Sequence, residues 1–215
     1  MNRARLAEQE QARARTEAEQ ASRTAKSEAT RSARATEFMT SVLIGVKPAV
    51  ARGRDKELLR ELLEEAAKRL DTVLPDEPEV EAELRDVIGE AFWHLNEAHR
   101  SAAMHRRALA LHEQTLGPMH PKVGYSLMRL GMFELYHADV AAAEQIFQRA
   151  VALRTAAFGA EDPRTLDAQF FLVETYGVQR RNAEALALLE QVRAVQSRLF
   201  SENDLRLVRT DYMMG

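Results

Sequence analysis

The stretch Leu116-Gly117-Pro118-Met119-His120-Pro121 returns at a fixed interval along this chain. Forty-two residues on stands Phe158-Gly159-Ala160-Glu161-Asp162-Pro163, and another 42 on stands Phe200-Ser201-Glu202-Asn203-Asp204. A shortened copy, Leu74-Pro75-Asp76-Glu77-Pro78, precedes them all. The residues between the copies keep the same register. Ile88-Gly89, Leu130-Gly131 and Leu172-Val173 share one slot, and Ala66, Ala108, Ala150 and Val192 share another. A unit of this length cannot bury its apolar face alone, so a fixed period of this size implies units stacked in a row.

Each interval reads as two helices. Pro78, Pro121 and Pro163 sit at first helical positions, where the missing N–H has no intrahelical partner to lose, and Asp162 stands as an N-cap before Pro163. Gly117 and Gly159 follow the second helices, where a left-handed residue commonly ends a helix. Turns within the repeats fall near Asn96, Asp139 and Asn182, the last two placed to cap second helices. The reading is all-α, with repeats at about 75–116, 117–158 and 159–200 and a truncated fourth helix over 201–215. Leu205, Leu207, Val208, Tyr212, Met213 and Met214 of that last helix are expected to pack on the third repeat and to leave an uncovered face, so either self-association through this end or a truncated gene product is expected.

Two segments precede the array. Residues 1–37 interleave acidic and basic side chains among Ala, Gln, Ser and Thr and carry no apolar stripe, which reads as a polar helix or linker. Residues 38–74 read as an incomplete leading repeat. Phe38, Met39, Val42, Leu43, Ile44 and Val46 open it, Pro48 interrupts, and Arg52-Gly53-Arg54-Asp55 turns with Asp55 as N-cap. Leu58, Leu59, Leu62, Leu63, Ala66, Ala67, Leu70, Val73 and Leu74 then recur at helical spacing.

Composition narrows the chemistry. The 215 residues include no cysteine and sum to a formal charge of −3, which excludes disulfides and thiolate zinc sites and offers no general attraction for nucleic acid. No apolar run is long enough to span a membrane, so the expectation is a soluble, cytoplasmic chain. Gly53-Arg54-Asp55 lacks the preceding His and the Asn five residues on that a kinase catalytic loop requires. His105 and His112 lie seven apart on one helical face, but Arg106 and Arg107 are neighbours and His105 falls in a packing slot, so both read as core or surface histidines, not metal ligands. No nucleophile and no convergent carboxylate pair is visible. The expectation is a non-enzymatic chain without metal or cofactor.

Leu130-Gly131 followed by Ala143, Phe147 and Ala150 places a small residue where two helices approach, then alternates small and large on the second helix. Ile88-Gly89, Ser101, His105 and Ala108 fill the same slots, as do Leu172-Val173, Ala185, Leu189 and Val192. This pattern resembles tetratricopeptide repeats in the long, 42-residue form found in kinesin light chains, over about Leu74 to Gly215. Glu134 departs from it by replacing the usual aromatic, and Asn96 and Arg180 by replacing the usual turn glycine. The resemblance implies a right-handed α-solenoid whose first helices line a concave groove. Carried over position by position, that groove comprises Glu83, Asp86, Glu90, Trp93 and His94, then Tyr125, Met128, Met132, Leu135 and Tyr136, then Asp167, Phe170, Glu174 and Val178.

The flank carries a second resemblance. A polar Ala/Glu/Arg helix, Phe38-Met39, the Ala49–Asp55 turn, the leucine-rich helix and Pro78-Glu79-Val80-Glu81-Ala82 look like the region after the catalytic domain in bacterial multi-domain serine/threonine kinases. Two functional expectations follow. The first is an interaction scaffold whose groove takes a protein or peptide segment with basic and apolar residues. The alternative is a detached regulatory region of such a kinase.

Overall fold

A computed structural model describes residues 13, 15–30, 33–34, 55–74, 76–137 and 139–214. The opening of the leading repeat, from Phe38 through Arg54, lies outside the described residues. Backbone contacts divide the chain into Met1–Leu58 and Leu59–Gly215. Within the first unit, residues 15–30 are helical and exposed, as expected of a stretch with no apolar stripe.

From Asp55 onward eight helices follow: α1 (Asp55–Val73), α2 (Pro78–His94), α3 (Ala98–Leu116), α4 (Pro121–His137), α5 (Val140–Phe158), α6 (Pro163–Val178), α7 (Asn182–Leu199) and α8 (Leu205–Met214). Consecutive helices from α2 to α8 pack on one another, and the first helices α4 and α6 also touch. That is the nearest-neighbour architecture of a solenoid. The described residues contain no strand, and among them no helix is long and apolar enough to cross a membrane.

The repeat slots form the core. Val123, Leu127 and Leu135 of α4 meet Ala143, Phe147, Ala150 and Leu153 of α5 and Ala168 and Leu172 of α6, all buried. Small residues set the approach of paired helices. A Cβ added at Gly131 would lie 2.5 Å from Phe147 Cε1, and one at Gly89 would lie 2.7 Å from His105 Nε2. The third repeat solves the same problem with Val173 against Leu189. The larger residue on one helix thus faces a smaller one on the other.

Helix ends follow the sequence with three adjustments. Pro78, Pro121 and Pro163 each open a helix. Asp139 accepts from Ala141 N at 2.8 Å and Ala142 N at 3.2 Å. Asn182, expected to cap, is instead the first residue of α7, and its cap Arg181 makes no side-chain capping bond. Asp55, likewise expected as a cap, is already inside α1. Gly117 (φ 86°, ψ 158°) and Gly159 (φ 95°, ψ 161°) end α3 and α5, not in the left-handed helical region but in the extended positive-φ region that only glycine enters readily. Asn96 (φ 64°) and Arg180 (φ 61°) do adopt left-handed backbone, which explains why glycine is usual at those turns.

The corners between repeats differ in how they are pinned. In the second, Asp162 accepts from Arg164 N at 2.9 Å and from Arg164 Nε and Nη2 at 2.8 and 2.9 Å, while the guanidinium lies 3.3 Å above the Phe158 ring. The third repeats the device with Asp204, Arg206 and Phe200, the guanidinium 3.7 Å above the ring. The Arg164 hydrogen bonds hold the Asp162 carboxyl down at about 2, and Arg206 does the same for Asp204. In the first corner His120 stands in the capping place, accepting from Lys122 N at 3.3 Å.

Candidate partner-binding groove

The first helices α2, α4 and α6 supply the face on which the groove residues were expected. Slots 42 apart align along it: Glu83 with Tyr125 and Asp167, Glu90 with Met132 and Glu174, and His94 with Tyr136 and Val178. Three expected lining residues turn inward instead. Asp86, Met128 and Phe170, which share a slot, are 9%, 5% and 0% exposed. Met128 belongs to the central core, and Phe170 packs with Val173 and Leu189. This slot faces the second helix of the hairpin. Leu135 is also core, and Met132 packs against it from the edge.

The remaining acidic residues are engaged within the chain. Glu83 receives Lys122, and Glu90 receives Arg129. Glu90 also accepts from Tyr125 Oη at 3.1 Å and has His94 Nε2 at 3.3 Å. Tyr136 Oη donates to Glu174 at 2.6 Å. Burial raises the Asp167 pKa against the pull of Arg209, Arg154 and Arg206. These basic partners escaped the sequence reading because each acid was weighed alone along its own helix. Lys122 and Arg129 lie 39 residues beyond Glu83 and Glu90 and meet them only because successive first helices stand side by side. This face therefore carries a laced balance of charge, not a bare acidic surface.

Trp93 is half-buried, edge-on to His137 at 6.3 Å between centroids and with the Arg129 guanidinium 5.6 Å from its ring. Beside it opens a depression of about 420 Å³ between α2 and α4, lined by Asp86, Val87, Glu90, Ala91, His94 and Tyr125. Val87 is 56% exposed. It was missed because its slot-mates are Arg129 and Phe171, yet it lies on the same helical face as Glu83 and Glu90, four before and three after.

Beneath the depression lies a buried polar cluster. Asp86 on α2 accepts from His105 Nδ1 at 2.8 Å and from His112 Nε2 at 3.1 Å, both on α3. Ser126 Oγ on α4 donates to the same carboxylate at 3.0 and 3.2 Å. His105 is 0% and His112 1% exposed. Burial pushes the Asp86 pKa up, but the hydrogen bonds and charge of the two histidines outweigh it, and the net direction is down. The i, i+7 spacing of the histidines gave a shared face, but not the carboxylate 19 residues earlier that both address. Glu81 and Arg85 form a second buried pair at 2.7 Å. Among the described residues no group of three or more His, Asp or Glu side chains is placed to hold a metal ion.

Comparison with known proteins agrees with the helical-repeat fold. Tetratricopeptide-repeat family models match residues 82–122 and 125–198. Two crystal structures of a Podosopora anserina protein, described as a kinesin light chain candidate of nearly identical TPR-like repeats, are similar in fold. They superpose with TM-scores of 0.63 and 0.61 at 20% identity, over 85% of this chain and 81% of theirs. BtubC (BKLC) from P. vanneervenii gives 0.62 at 16% identity, over 73% of this chain and 62% of its own. No curated protein matches the chain by sequence. Residues 82–122 and 125–198 of this chain are tetratricopeptide repeats.

Proposed function

We propose that this chain is a non-catalytic cytoplasmic scaffold whose concave face holds a segment of a protein partner. The observation that carries the reading is the depression between α2 and α4. Val87, Ala91 and the Tyr125 ring offer an apolar seat there, and the Glu90 carboxylate stands at its edge. Such a seat fits an apolar side chain with a basic residue beside it. The Tyr125 ring supplies most of the affinity, because aromatic anchors that become desolvated dominate interface energies. The basic residue sets register by competing with Arg129 for Glu90.

Val87→Glu and Tyr125→Ala test this, since both residues are exposed and neither is core. Capture of partners from a lysate followed by mass spectrometry should fall at least about tenfold for each variant, the effect of losing about 1.4 kcal/mol, with helix content and cooperative unfolding retained. Equal capture by parent and variants would place binding on another face.

A second surface, for self-association, is supported by α8. Leu207 alone among its large apolar residues is buried, at 5%, whereas Leu205, Val208 and Tyr212 are 83%, 48% and 87% exposed. The expectation that this helix packs with six apolar residues is corrected accordingly. Tyr212 occupies the slot of Asp86, Met128 and Phe170, each buried in its own repeat. Sedimentation should show weight-average mass rising with concentration, and Tyr212→Glu should abolish the rise. A parent that stays monomeric at high concentration would remove this surface from consideration.

A further inference from the structure

The lysine and arginine side chains of the first helices α2, α4, α6 and α8 are paired with carboxylates, with one exception. Arg85 meets Glu81, Lys122 meets Glu83, Arg129 meets Glu90, Arg164 meets Asp162, and Arg206 meets Asp204. Arg209 of α8 is held differently. Its guanidinium lies 3.6 Å from the centroid of the Phe170 ring and 5.7 Å from that of Phe171, both on α6. Among the described residues it has no carboxylate or carbonyl within bonding distance, and it is exposed. Arg209 occupies the slot of Glu83, Tyr125 and Asp167, so it continues the row of side chains on which the groove reading rests.

We infer that Arg209 is a specificity-determining seat for an acidic side chain of the partner segment, at the opposite end of the first-helix row from the depression between α2 and α4. A guanidinium stacked on a ring has one face covered and its N–H edge open, a rigid fork that matches a planar carboxylate. The stack also fixes the fork before a partner arrives, which lowers the entropy lost on binding. Phe171, beneath the guanidinium, and Met213, one helical turn beyond Arg209, share the slot of Val87 and add apolar surface beside it.

The surrounding charges favour a carboxylate over a phosphate. Asp167 lies within electrostatic reach of Arg209 but is also drawn by Arg154 and Arg206, and Glu174 already accepts from Tyr136 Oη. Two nearby acids oppose a doubly charged group more than a singly charged one. Spacing narrows the partner further. Tyr125 and Arg209 hold the same slot two repeats apart, and packed helices stand about 8–10 Å apart, so the two seats are separated by roughly 16–20 Å. An extended segment advances about 3.3 Å per residue, which puts the acidic residue about five or six positions from the apolar residue seated at Tyr125. The partner segment is therefore bipolar, with a basic residue near Glu90 and an acidic one at Arg209. This rests on the groove reading and adds to it what the far part of the segment carries.

The test selects a displayed library of random peptides, long enough to reach both seats, against the full chain at a concentration where sedimentation shows a monomer. Enriched sequences should carry an apolar residue beside Lys or Arg, with Asp or Glu about five or six positions away. For one such synthetic peptide, Arg209→Gln should weaken binding about tenfold or more, and so should replacing the peptide's acidic residue by its amide. Made together, the two changes should weaken binding little more than either alone, the sign of a direct pair. A purely structural role for Arg209 would give independent losses instead. Enrichment without an acidic position, or additive losses, would overturn the Arg209 seat and leave the depression standing. If nothing is enriched, or if enriched peptides bind Val87→Glu as well as the parent, the groove reading falls and this inference with it. Should Arg209→Gln fail to fold, the amide peptide should still bind the parent about tenfold more weakly, and an undiminished affinity would overturn the seat equally.

Discussion

Asp86→Ala is expected to destabilise the array by about 3–5 kcal/mol at neutral pH, the cost of removing one member of a buried charged network and stranding the rest. Three donors, from His105, His112 and Ser126, converge on this one carboxylate across three helices, and alanine leaves all of them buried without it. The loss should appear in urea or thermal unfolding, with helix content retained by the surviving repeats, because solenoid repeats hold chiefly to their neighbours. The sign of the pH dependence follows from the lowered Asp86 pKa. Its contribution is present above its ordinary value of 3.8 and is lost as pH falls below that value, so parent and variant should converge in strong acid. A variant as stable as the parent at neutral pH would mean that the carboxylate does not hold the junction.

Gly131→Ala is expected to cost about 1–3 kcal/mol by overpacking, and Phe147→Leu is expected to rescue it. The added Cβ would meet three atoms of the Phe147 ring, at 2.5 to 2.9 Å. That ring has little freedom to give, since it is fully buried and stacked 5.5 Å from Phe171. The third repeat already shows the alternative solution in Val173 and Leu189. Phe147→Leu alone leaves a void beside Gly131 and should also destabilise, so the double variant should be more stable than the sum of the two single losses by about 1 kcal/mol or more. Additive losses in a denaturation cycle would show that the two residues do not share a packing slot.

The sequence was most legible where one residue type has one physical reason to be where it is. Pro121 and Pro163 open helices, Gly117 and Gly159 close them, and the Gly131–Phe147 slot follows from its repetition alone. The groove was less legible because burial in a helix turns on about a third of a turn. Asp86, Met128 and Phe170 lie one residue from the exposed stripe that includes Val87, and their polarity gave no consistent sign of facing inward. Asp86 in particular looked like a solvated acid, since its two histidines sit on the next helix and its serine on the one after. Contacts at separations of 19 to 40 residues become visible only once helices are laid beside each other. Of the segments that carry the resemblance of the flank to a kinase-associated region, Phe38-Met39 and Ala49–Arg54 lie outside the described residues.

The unequal corners give the array a mechanical asymmetry. Between α5 and α6, and again between α7 and α8, a carboxylate, a guanidinium and an aromatic ring lock the chain as it changes direction. The corner between α3 and α4 has Leu116, His120 and Lys122 in those places, and Lys122 reaches away to Glu83. The joint between α3 and α4 therefore lacks this lock, and Asp86 spans it through its contact with Ser126. A solenoid is a lever, and a few degrees of rotation at its first hinge sweep the far repeats through a distance that grows with every helix beyond it. A partner held across several repeats would feel any such rotation as a change in curvature.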